Sequence, residues 1–185
     1  MRVLVLAGLA VLAAGAAAAQ PVTGKEAKKL LFMPRESVAQ ILPGAGLDEQ
    51  NAKVLETVAA AQPWYGAIAI SPDEGLMSEA TVAAAKYHDV EAAKTVALSD
   101  CNAKKKGKAE CVLAAVILPK GWQQGRPLQL SAEATEAFRA DYKGGAMATS
   151  ATTGAFGMGA DAAAALAACQ AKAGAATDCT VVISG

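Results

Sequence analysis

The sequence predicts an α+β fold made of two tandem ββαβ repeats, each preceded by a helix and each closed by one disulfide within the repeat. Blocks of sequence recur in the same order in both halves of the chain, and apolar residues within these blocks alternate with the period of a strand. Each half also holds two cysteines with the spacing C-x9-C. The 185 residues suffice for one compact domain or two small ones.

Three blocks carry the internal duplication. Gly66 to Ser71, with Gly75 four residues later, matches Gly145 to Ser150, with Gly154 four residues later. Self-similarity of this kind indicates a repeated supersecondary unit. The other two matches are Ala97-Leu98-x-x-Cys101 with Ala165-Leu166-x-x-Cys169, and Glu110-Cys111-Val112-Leu113 with Asp178-Cys179-Thr180-Val181.

The first repeat divides into strand, turn, strand, helix and strand. Its first strand alternates between two faces, and a Ser-Pro-Asp-Glu-Gly segment then has turn chemistry. In the helix, small residues recur every four positions, and Val90 and Leu98 lie beside them. The last strand is a continuous apolar run that Pro119 ends, as is typical of a central strand. The predicted bounds are residues 66–71, 76–82, 89–103 and 111–118.

The second repeat follows the same order, with a Gly-rich second strand and an Ala-rich helix. Each repeat is also preceded by a predicted helix. The first of these, at 47–61, places Leu47, Val54, Leu55 and Val58 on one side, and Ser131 can N-cap the other. The predicted bounds within the second repeat are residues 145–150, 155–159, 160–173 and 179–184.

Upstream of both repeats, Thr23 and Glu26 form a capping box that predicts the start of a further helix. Pro and Gly residues between the repeats indicate a linker. The predicted organisation is a leader at 1–19, an N-terminal helical segment at 20–46, the first repeat with its helix at 47–118, the linker at 119–129 and the second repeat with its helix at 130–185.

Residues 1–19 have the three parts of a secretory signal peptide. Arg2 forms a positive n-region, residues 3–14 are uncharged and apolar, and Ala17 to Ala19 supply small residues at the cleavage site. Because the apolar run is shorter than the roughly 20 residues that cross a bilayer, we expect cleavage after Ala19 and no membrane span in the mature chain. The alanine-rich leader is typical of bacteria and predicts a periplasmic or secreted protein.

All four cysteines lie beyond the leader, as Cys101, Cys111, Cys169 and Cys179. Four cysteines allow three pairings, and the repeated spacing favours Cys101 with Cys111 and Cys169 with Cys179. Such bridges would stabilise a small domain in an oxidising compartment. A four-thiolate zinc site is the alternative, but it usually needs closely spaced C-x2-4-C pairs, which the sequence lacks. We therefore expect no metal site.

The 17 basic and 17 acidic residues give a formal net charge of zero. This balance gives no electrostatic reason to expect nucleic acid or an anionic membrane as the main partner. The sequence also lacks a P-loop, a dinucleotide-binding glycine fingerprint, a serine-hydrolase elbow and a zinc-protease helix. We expect no cofactor, and the partner we expect is another envelope or secreted protein.

His88 is the only histidine and is followed by Asp89. The two residues could act as a general base and the group that orients it, with Ser71 as the nucleophile. The interpretation we favour is structural: Asp89 caps the next helix, and His88 is a polar loop residue. The second repeat has no histidine at this place, so any special role belongs to the first repeat alone.

Three further groups of residues are candidates for binding. The acid pairs Asp73-Glu74 and Asp48-Glu49 lie at a turn and a helix start, where we interpret them as structural. A basic loop lies within the first cysteine pair and could contact a partner. Trp64 and Tyr65, together with Trp122, could form an exposed aromatic patch, although core packing is the favoured interpretation. The lysines of the basic loop are Lys104, Lys105, Lys106 and Lys108.

The duplicated G-A-I-A-x-S, A-L-x-x-C and acid-C-x-V blocks resemble a family of small secreted bacterial proteins, found in mycobacteria and proteobacteria, that is defined only as a domain of unknown function. The resemblance covers residues 64–118 and 144–184, and the 76–90 insert departs from it. It implies a non-enzymatic protein and transfers no catalytic residue.

The whole chain also resembles exported alphaproteobacterial proteins that carry the label 5-aminolevulinate synthase. That reaction needs succinyl-CoA and pyridoxal phosphate held on a lysine. An exported chain of this size offers neither the substrate nor the cofactor-binding framework, so we do not expect this activity.

These observations favour an exported, disulfide-stabilised, non-catalytic interaction module. A carrier that holds a small ligand in a groove between the two repeats is one alternative, and a small enzyme that uses His88 is another. Convergence of His88, Asp89 and Ser71 would favour the enzyme, whereas a cavity of several hundred Å³ between the repeats would favour the carrier.

Overall fold

The computed structural model describes residues 20–33 and 37–185. The predicted leader at 1–19 lies outside the described residues. Within them the chain forms five α-helices, seven strands and one short 3₁₀ turn at Pro43–Ala45. In chain order the helices and strands are α1 (Gly24–Leu30), β1 (Ser37–Ile41), α2 (Glu49–Ala60), β2 (Gly66–Ile70), β3 (Val82–Ala84), α3 (Val90–Lys104), β4 (Val112–Pro119), α4 (Ala132–Asp141), β5 (Ala146–Ser150), β6 (Phe156–Gly159), α5 (Ala162–Ala173) and β7 (Cys179–Ser184).

The strands form two antiparallel sheets, with the orders β1-β4-β2-β3 and β6-β5-β7. We refer to β2, β3, α3 and β4 as the first unit and to β5, β6, α5 and β7 as the second unit. In each unit the first strand lies between its hairpin partner and the last strand. The central strands even share a register shift, after Ile68 in β2 and after Met147 in β5, which are matching positions in the duplicated block. The predicted α+β fold of two ββαβ units is confirmed.

Small side chains line the face of each helix that packs on its sheet. In α3 the buried residues include Ala93, Ala97 and Cys101, which recur every four positions as the spacing predicts. In α5 they are Ala165, Cys169 and Ala173. Because these side chains are short, they allow each helix to pack close to the strands beneath it.

The closest approach is between α5 and β6, where two glycines of the hairpin strand face the helix backbone. A Cβ atom added at Gly157 would lie 2.2 Å from the backbone nitrogen of Cys169, and one added at Gly159 would lie 2.6 Å from that of Ala165. Real Cβ atoms do not approach backbone atoms so closely. The Gly-rich sequence of β6 is therefore required by helix packing as well as by the hairpin.

The two disulfides are Cys101–Cys111 and Cys169–Cys179, with Cα–Cα distances of 6.1 and 6.2 Å. Each joins the end of a helix to the start of the last strand of its unit, so the pairing predicted from the repeated spacing is confirmed. By the chain-entropy argument, closing a loop of this length stabilises the fold by about 3 kcal/mol per bridge.

The second strand of the first unit differs from the prediction, which placed it at 76–82. Most of that segment forms consecutive turns, in which Ser78 N–H donates to the Gly75 carbonyl and Thr81 N–H to the Ser78 carbonyl. The strand β3 begins only at Val82. The hydroxyl of Thr81 bonds the Leu76 carbonyl at 2.6 Å and so holds a turn where the strand was expected.

The predicted helix at 47–61 is α2, which Asp48 caps by accepting from Asn51 N–H at 2.7 Å. Its predicted apolar side is partly wrong. Leu55 and Ala59 are buried, whereas Val54 and Val58 are 47% and 50% exposed. Leu55 and the small Ala59 both pack against strand residues of the first sheet.

The segment at 20–46 was predicted as helical, but its described residues form the short helix α1, the strand β1 and the 3₁₀ turn at Pro43–Ala45, and the Thr23–Glu26 capping box starts α1. After it, β1 joins the first sheet antiparallel to β4, with Val38 opposite Leu118. Before it, Val22 forms a parallel bridge with Ile183 at the edge of the second sheet. This segment therefore contacts both sheets. The sequence did not predict this, because a strand of five residues is too short to give a clear periodic pattern.

Replacing Gly157 with Ala tests the close approach of α5 to β6. The added methyl group would collide with the helix backbone, so we expect the free energy of unfolding to fall by about 1–3 kcal/mol or more in urea titrations. Gly44→Ala is the matched control, because a Cβ there meets nothing within 4 Å, and its effect should stay within about 0.5 kcal/mol. Equal effects of the two substitutions would contradict the packing argument.

Candidate functional site

The two units meet at a junction built around His88. The loop that leads from β3 into α3 lies against the β5–β6 turn of the second unit and against the start of α4. His88, at the centre of this contact, is only 4% exposed.

Both ring nitrogens of His88 are hydrogen-bonded to backbone groups. The N–H of Ser131 donates to Nδ1 at 3.1 Å, and Nε2 lies 3.1 Å from the carbonyl oxygen of Ala155. Since Nδ1 accepts, the proton of the neutral ring is on Nε2 and is donated to Ala155. The ring also packs edge-on against Phe156, with centroids 6.3 Å apart.

This environment holds the imidazole neutral. Burial lowers the pKa of His88 below its ordinary value of 6.5, although the carbonyls of Ala155 and Gly154 and the charge of Glu133 act in the opposite direction. A charged ring would also lose Nδ1 as an acceptor for Ser131. His88 therefore connects the two units as a neutral bridge.

The trio considered for catalysis is not assembled, because His88 and Asp89 are both committed to backbone groups. Asp89 caps α3, with its carboxylate accepting from the backbone N–H groups of Glu91 and Ala92, and the predicted cap is confirmed. Ser71 is fully buried and lies beside Glu74, whose pKa its hydroxyl lowers. His88 lies in the loop before α3, as predicted, but its ring is buried between the units.

Trp64 and Tyr65 do not form an exposed patch. Each is only 1% exposed, and they pack in a cluster with Val90 and Val116. The indole Nε1–H of Trp64 donates to the Leu130 carbonyl at 3.1 Å, and burial raises the pKa of the Tyr65 hydroxyl. These aromatic residues are thus a second part of the junction, and the binding role considered for them has no surface on which to act.

A groove of about 320 Å³ lies beside the junction, between the two units. Lys86 lines it from the first unit, while Phe156 and Lys172 line it from the second, with Lys172 Nζ 4.7 Å from the centre of the Phe156 ring. Gly154 also lines it and lies directly against the first unit, since a Cβ there would be 2.4 Å from the Lys86 carbonyl oxygen. We refer to this feature as the inter-unit groove.

The basic loop within the first disulfide, residues 104–108, is held by the acid pair of the β2–β3 turn. Glu74 accepts from the backbone N–H groups of Lys106 and Gly107, at 3.1 and 3.3 Å, and Asp73 accepts from that of Ala109 at 2.8 Å. Gly107 is needed here, because a Cβ would lie 2.6 Å from the Asp73 side chain. We refer to residues 104–108 as the lysine loop.

The lysine side chains of this loop divide into two kinds. Lys105 turns inward, and its Nζ bonds the Ala109 carbonyl and the Glu110 carboxylate, each at 2.9 Å. Lys106 pairs at 3.3 Å with Glu79, and since both side chains are well exposed, this pair contributes little. Lys104 and Lys108 are exposed and form no ion pair with any described residue. The loop thus presents outward charge on an ordered backbone.

In the second unit, the turn after β5 is held by different hydrogen bonds. Ser150, the counterpart of Ser71, donates to Asp178 at 2.6 Å, and Asp178 also accepts from Thr152 N–H at 2.8 Å. Burial raises the pKa of Asp178, but these hydrogen bonds outweigh it and leave the pKa lowered. We refer to the hydrogen bonds from Asp73 and Glu74 to the lysine-loop backbone as the clamp. The acid pair and the lysines occur together only in the first unit, and this co-occurrence is the sequence signal that could have identified the clamp.

Among residues 20–33 and 37–185, no three His, Cys, Asp or Glu side chains are grouped so that they could hold a metal ion. Over the same residues, none of the helices has the length and hydropathy needed to traverse a bilayer.

Comparison of the chain with protein-family models, curated proteins and solved structures gives no match.

Because of His88, we expect the free energy of unfolding to decrease as the pH is lowered below about 6.5. The folded pKa is lower than the unfolded one, so the unfolded state takes up the proton first. The free energy of unfolding should therefore decrease by up to about 1.4 kcal/mol for each pH unit below 6.5. Urea titrations between pH 5 and 7.5 measure this slope, and the carboxyl groups with lowered pKa act only at more acidic pH.

His88→Gln is the control for this slope, since the amide cannot titrate but can still donate to Ala155. It should be less stable than wild type at pH 7.5, by about 1–3 kcal/mol, because Ser131 N–H loses its acceptor. Its stability should be nearly flat from pH 5.5 to 7. A variant with the wild-type slope would show that His88 is not the titrating group.

Proposed function

We propose that this protein is an exported, disulfide-stabilised, non-catalytic interaction module that presents its lysine loop to an acidic surface of another envelope or secreted protein. The observation that carries this proposal is the clamped backbone of the lysine loop with Lys104 and Lys108 pointing outward. The predicted leader and the two disulfides favour an oxidising compartment outside the cytoplasm.

The loop is ordered before any partner arrives. The Cys101–Cys111 bridge closes its ends, Asn102 accepts from Cys111 N–H at 2.9 Å, and Asp73 and Glu74 hold its amides from the other side. Binding through a loop that is already in one conformation avoids most of the ordering entropy that a flexible loop would lose. Charge at such a loop increases the association rate with an acidic surface and suppresses basic partners.

The remaining candidate residues support binding over catalysis. A catalytic constellation needs a nucleophile and a base within hydrogen-bond reach of each other. His88 instead uses both nitrogens for backbone groups, and Asp89 is committed to the cap of α3. The lysine loop, in contrast, has exposed charged groups on a backbone that hydrogen bonds hold in place.

Photo-cross-linking in a periplasmic extract tests this proposal. A photoreactive residue replaces Ala103, which is exposed beside the loop. We expect a discrete adduct at low ionic strength that decreases about tenfold in the Lys104→Ser/Lys108→Ser variant and that salt weakens. The charge-matched control is Lys29→Ser/Lys53→Ser, which removes two exposed lysines elsewhere. Equal loss in both variants would indicate a net-charge effect, and no loss in either would contradict a role for the loop.

The inter-unit groove favours a second candidate function, the small-ligand carrier. Its volume of about 320 Å³ lies at the lower end of ligand sites, and it combines an aromatic ring with two lysines and Glu133. It is open to solvent along one side, whereas a carrier usually encloses most of its ligand. We therefore place it second.

The aromatic sulfonate 8-anilinonaphthalene-1-sulfonate is a suitable probe of the groove, because Phe156 could stack on its rings and the lysines could pair with its sulfonate. A carrier should bind it saturably at one site, and Lys86→Ser/Lys172→Ser should weaken binding by about tenfold. Lys104→Ser/Lys108→Ser should leave binding unchanged. Fluorescence that does not saturate, or that is the same in both variants, would remove the carrier from consideration.

A further inference from the structure

An open cleft of about 510 Å³ lies between α1 and the end of α4. Lys25 and Lys28 line it from α1, and Arg139, Tyr142 and Lys143 line it from α4 and the residues that follow. None of its side chains is acidic. Gly185 also lines it, and a carboxylate there would still leave the four cationic side chains in excess. We refer to this feature as the α1–α4 cleft.

The acid nearest in sequence to the two α1 lysines is committed to another task. Glu26 accepts from both the backbone N–H and the hydroxyl of Thr23, at 2.9 and 2.8 Å, as part of the capping box. The hydrogen bond from the Thr23 backbone is the main reason that its pKa is lowered. Lys25 and Lys28 make no ion pair and no hydrogen bond within residues 20–33 and 37–185.

The walls of the cleft are fixed by contacts within the protein. Arg139 Nη2 donates to the carbonyls of Leu31 and Phe32, at 3.0 and 3.3 Å, and so joins the end of α1 to α4. On the other side the Tyr142 ring lies against Gly24, where a Cβ would be 2.4 Å from Cε1. The carbonyl partners of Arg139 are neutral, so its positive charge is held in place without being balanced.

The bottom of the cleft is also ordered. The hydroxyl of Tyr142 lies 3.0 Å from the carbonyl oxygens of both Gly145 and Gly185, and the Tyr142 ring packs 4.7 Å from that of Phe138. Lys143 Nζ donates to the Ala140 carbonyl at 3.1 Å. The cationic groups thus surround a space with a defined floor.

We propose that the α1–α4 cleft binds an anion that carries a phosphate group with two or more negative charges. Like charges gathered around one cleft repel each other, and a multiply charged anion between them removes that repulsion. Three of the four cationic groups are ammonium groups. An ammonium group acts as a point charge, so it binds a phosphate from any direction and does not need a planar partner such as a carboxylate. The phosphate could belong to a soluble compound or to a lipid headgroup.

Inorganic pyrophosphate is the first probe, titrated into the ¹⁵N-labelled protein at low ionic strength. We expect saturable shifts of the Lys143, Gly144 and Gly185 amide signals. Lys25→Gln/Lys28→Gln should weaken binding by at least about tenfold, and both residues are exposed, so the fold should be kept. Lys104→Gln/Lys108→Gln removes the same charge from the lysine loop and should leave the affinity unchanged.

Vesicles distinguish the two sources of the phosphate. Co-sedimentation with phosphatidylglycerol–phosphatidylcholine vesicles, lost in Lys25→Gln/Lys28→Gln and displaced by pyrophosphate, would identify a lipid headgroup. Binding of pyrophosphate without co-sedimentation would identify a soluble phosphate compound. Shifts that do not saturate, or equal weakening in the two double variants, would overturn the proposal and leave the separate proposal for the lysine loop unaffected.

Discussion

Two glycines and a row of alanines let the helices of this protein pack directly on the backbone of its sheets. Gly157 and Gly159 place α5 directly on β6, and the alanine faces of α3 and α5 bring both helices down onto their sheets. Each alanine removes little apolar area from water, so the stability of such a core comes from many short contacts at high density. A core of this kind is intolerant of added volume. The two disulfides, placed where each helix ends, add stabilisation that the small side chains do not supply.

The two units share this packing but differ in their polar groups. The loop before α3 is longer in the first unit and carries His88, whose ring nitrogens bond Ser131 and Ala155 outside that unit. Trp64 adds a hydrogen bond to the Leu130 carbonyl. The polar contacts that join the units thus come from residues that the duplication does not repeat.

How far the sequence predicts this structure depends on whether a feature is local. The strands β2, β4, β5, β6 and β7, the helices α3 and α5, the caps at Thr23, Asp89 and Ser131, and both disulfides follow from periodicity, capping chemistry and repeated spacing. The short strand β1 and the burial of His88 were missed, since both depend on partners distant in the chain: β4 for the strand, and Ser131 and Ala155 for the imidazole. The clamp on the lysine loop was missed for the same reason. Asp73 and Glu74 are separated from the amides they bind by more than thirty residues.

Net charge is a poor guide to recognition in a molecule of this kind. The sequence balances its acids and bases, yet the structure commits acids to internal tasks: Glu26 to a cap, Asp73 and Glu74 to the clamp, and Asp178 to the Ser150 turn. Each of these carboxylates accepts hydrogen bonds from nearby donors and is held at a fixed place, and Lys25, Lys28, Lys104 and Lys108 form no ion pair with any described residue. Salt screens charges over about 8–10 Å under ordinary conditions, which is shorter than the distance across a domain of this size. The lysine loop and the α1–α4 cleft can therefore act as separate basic surfaces on a protein whose formal charge is zero.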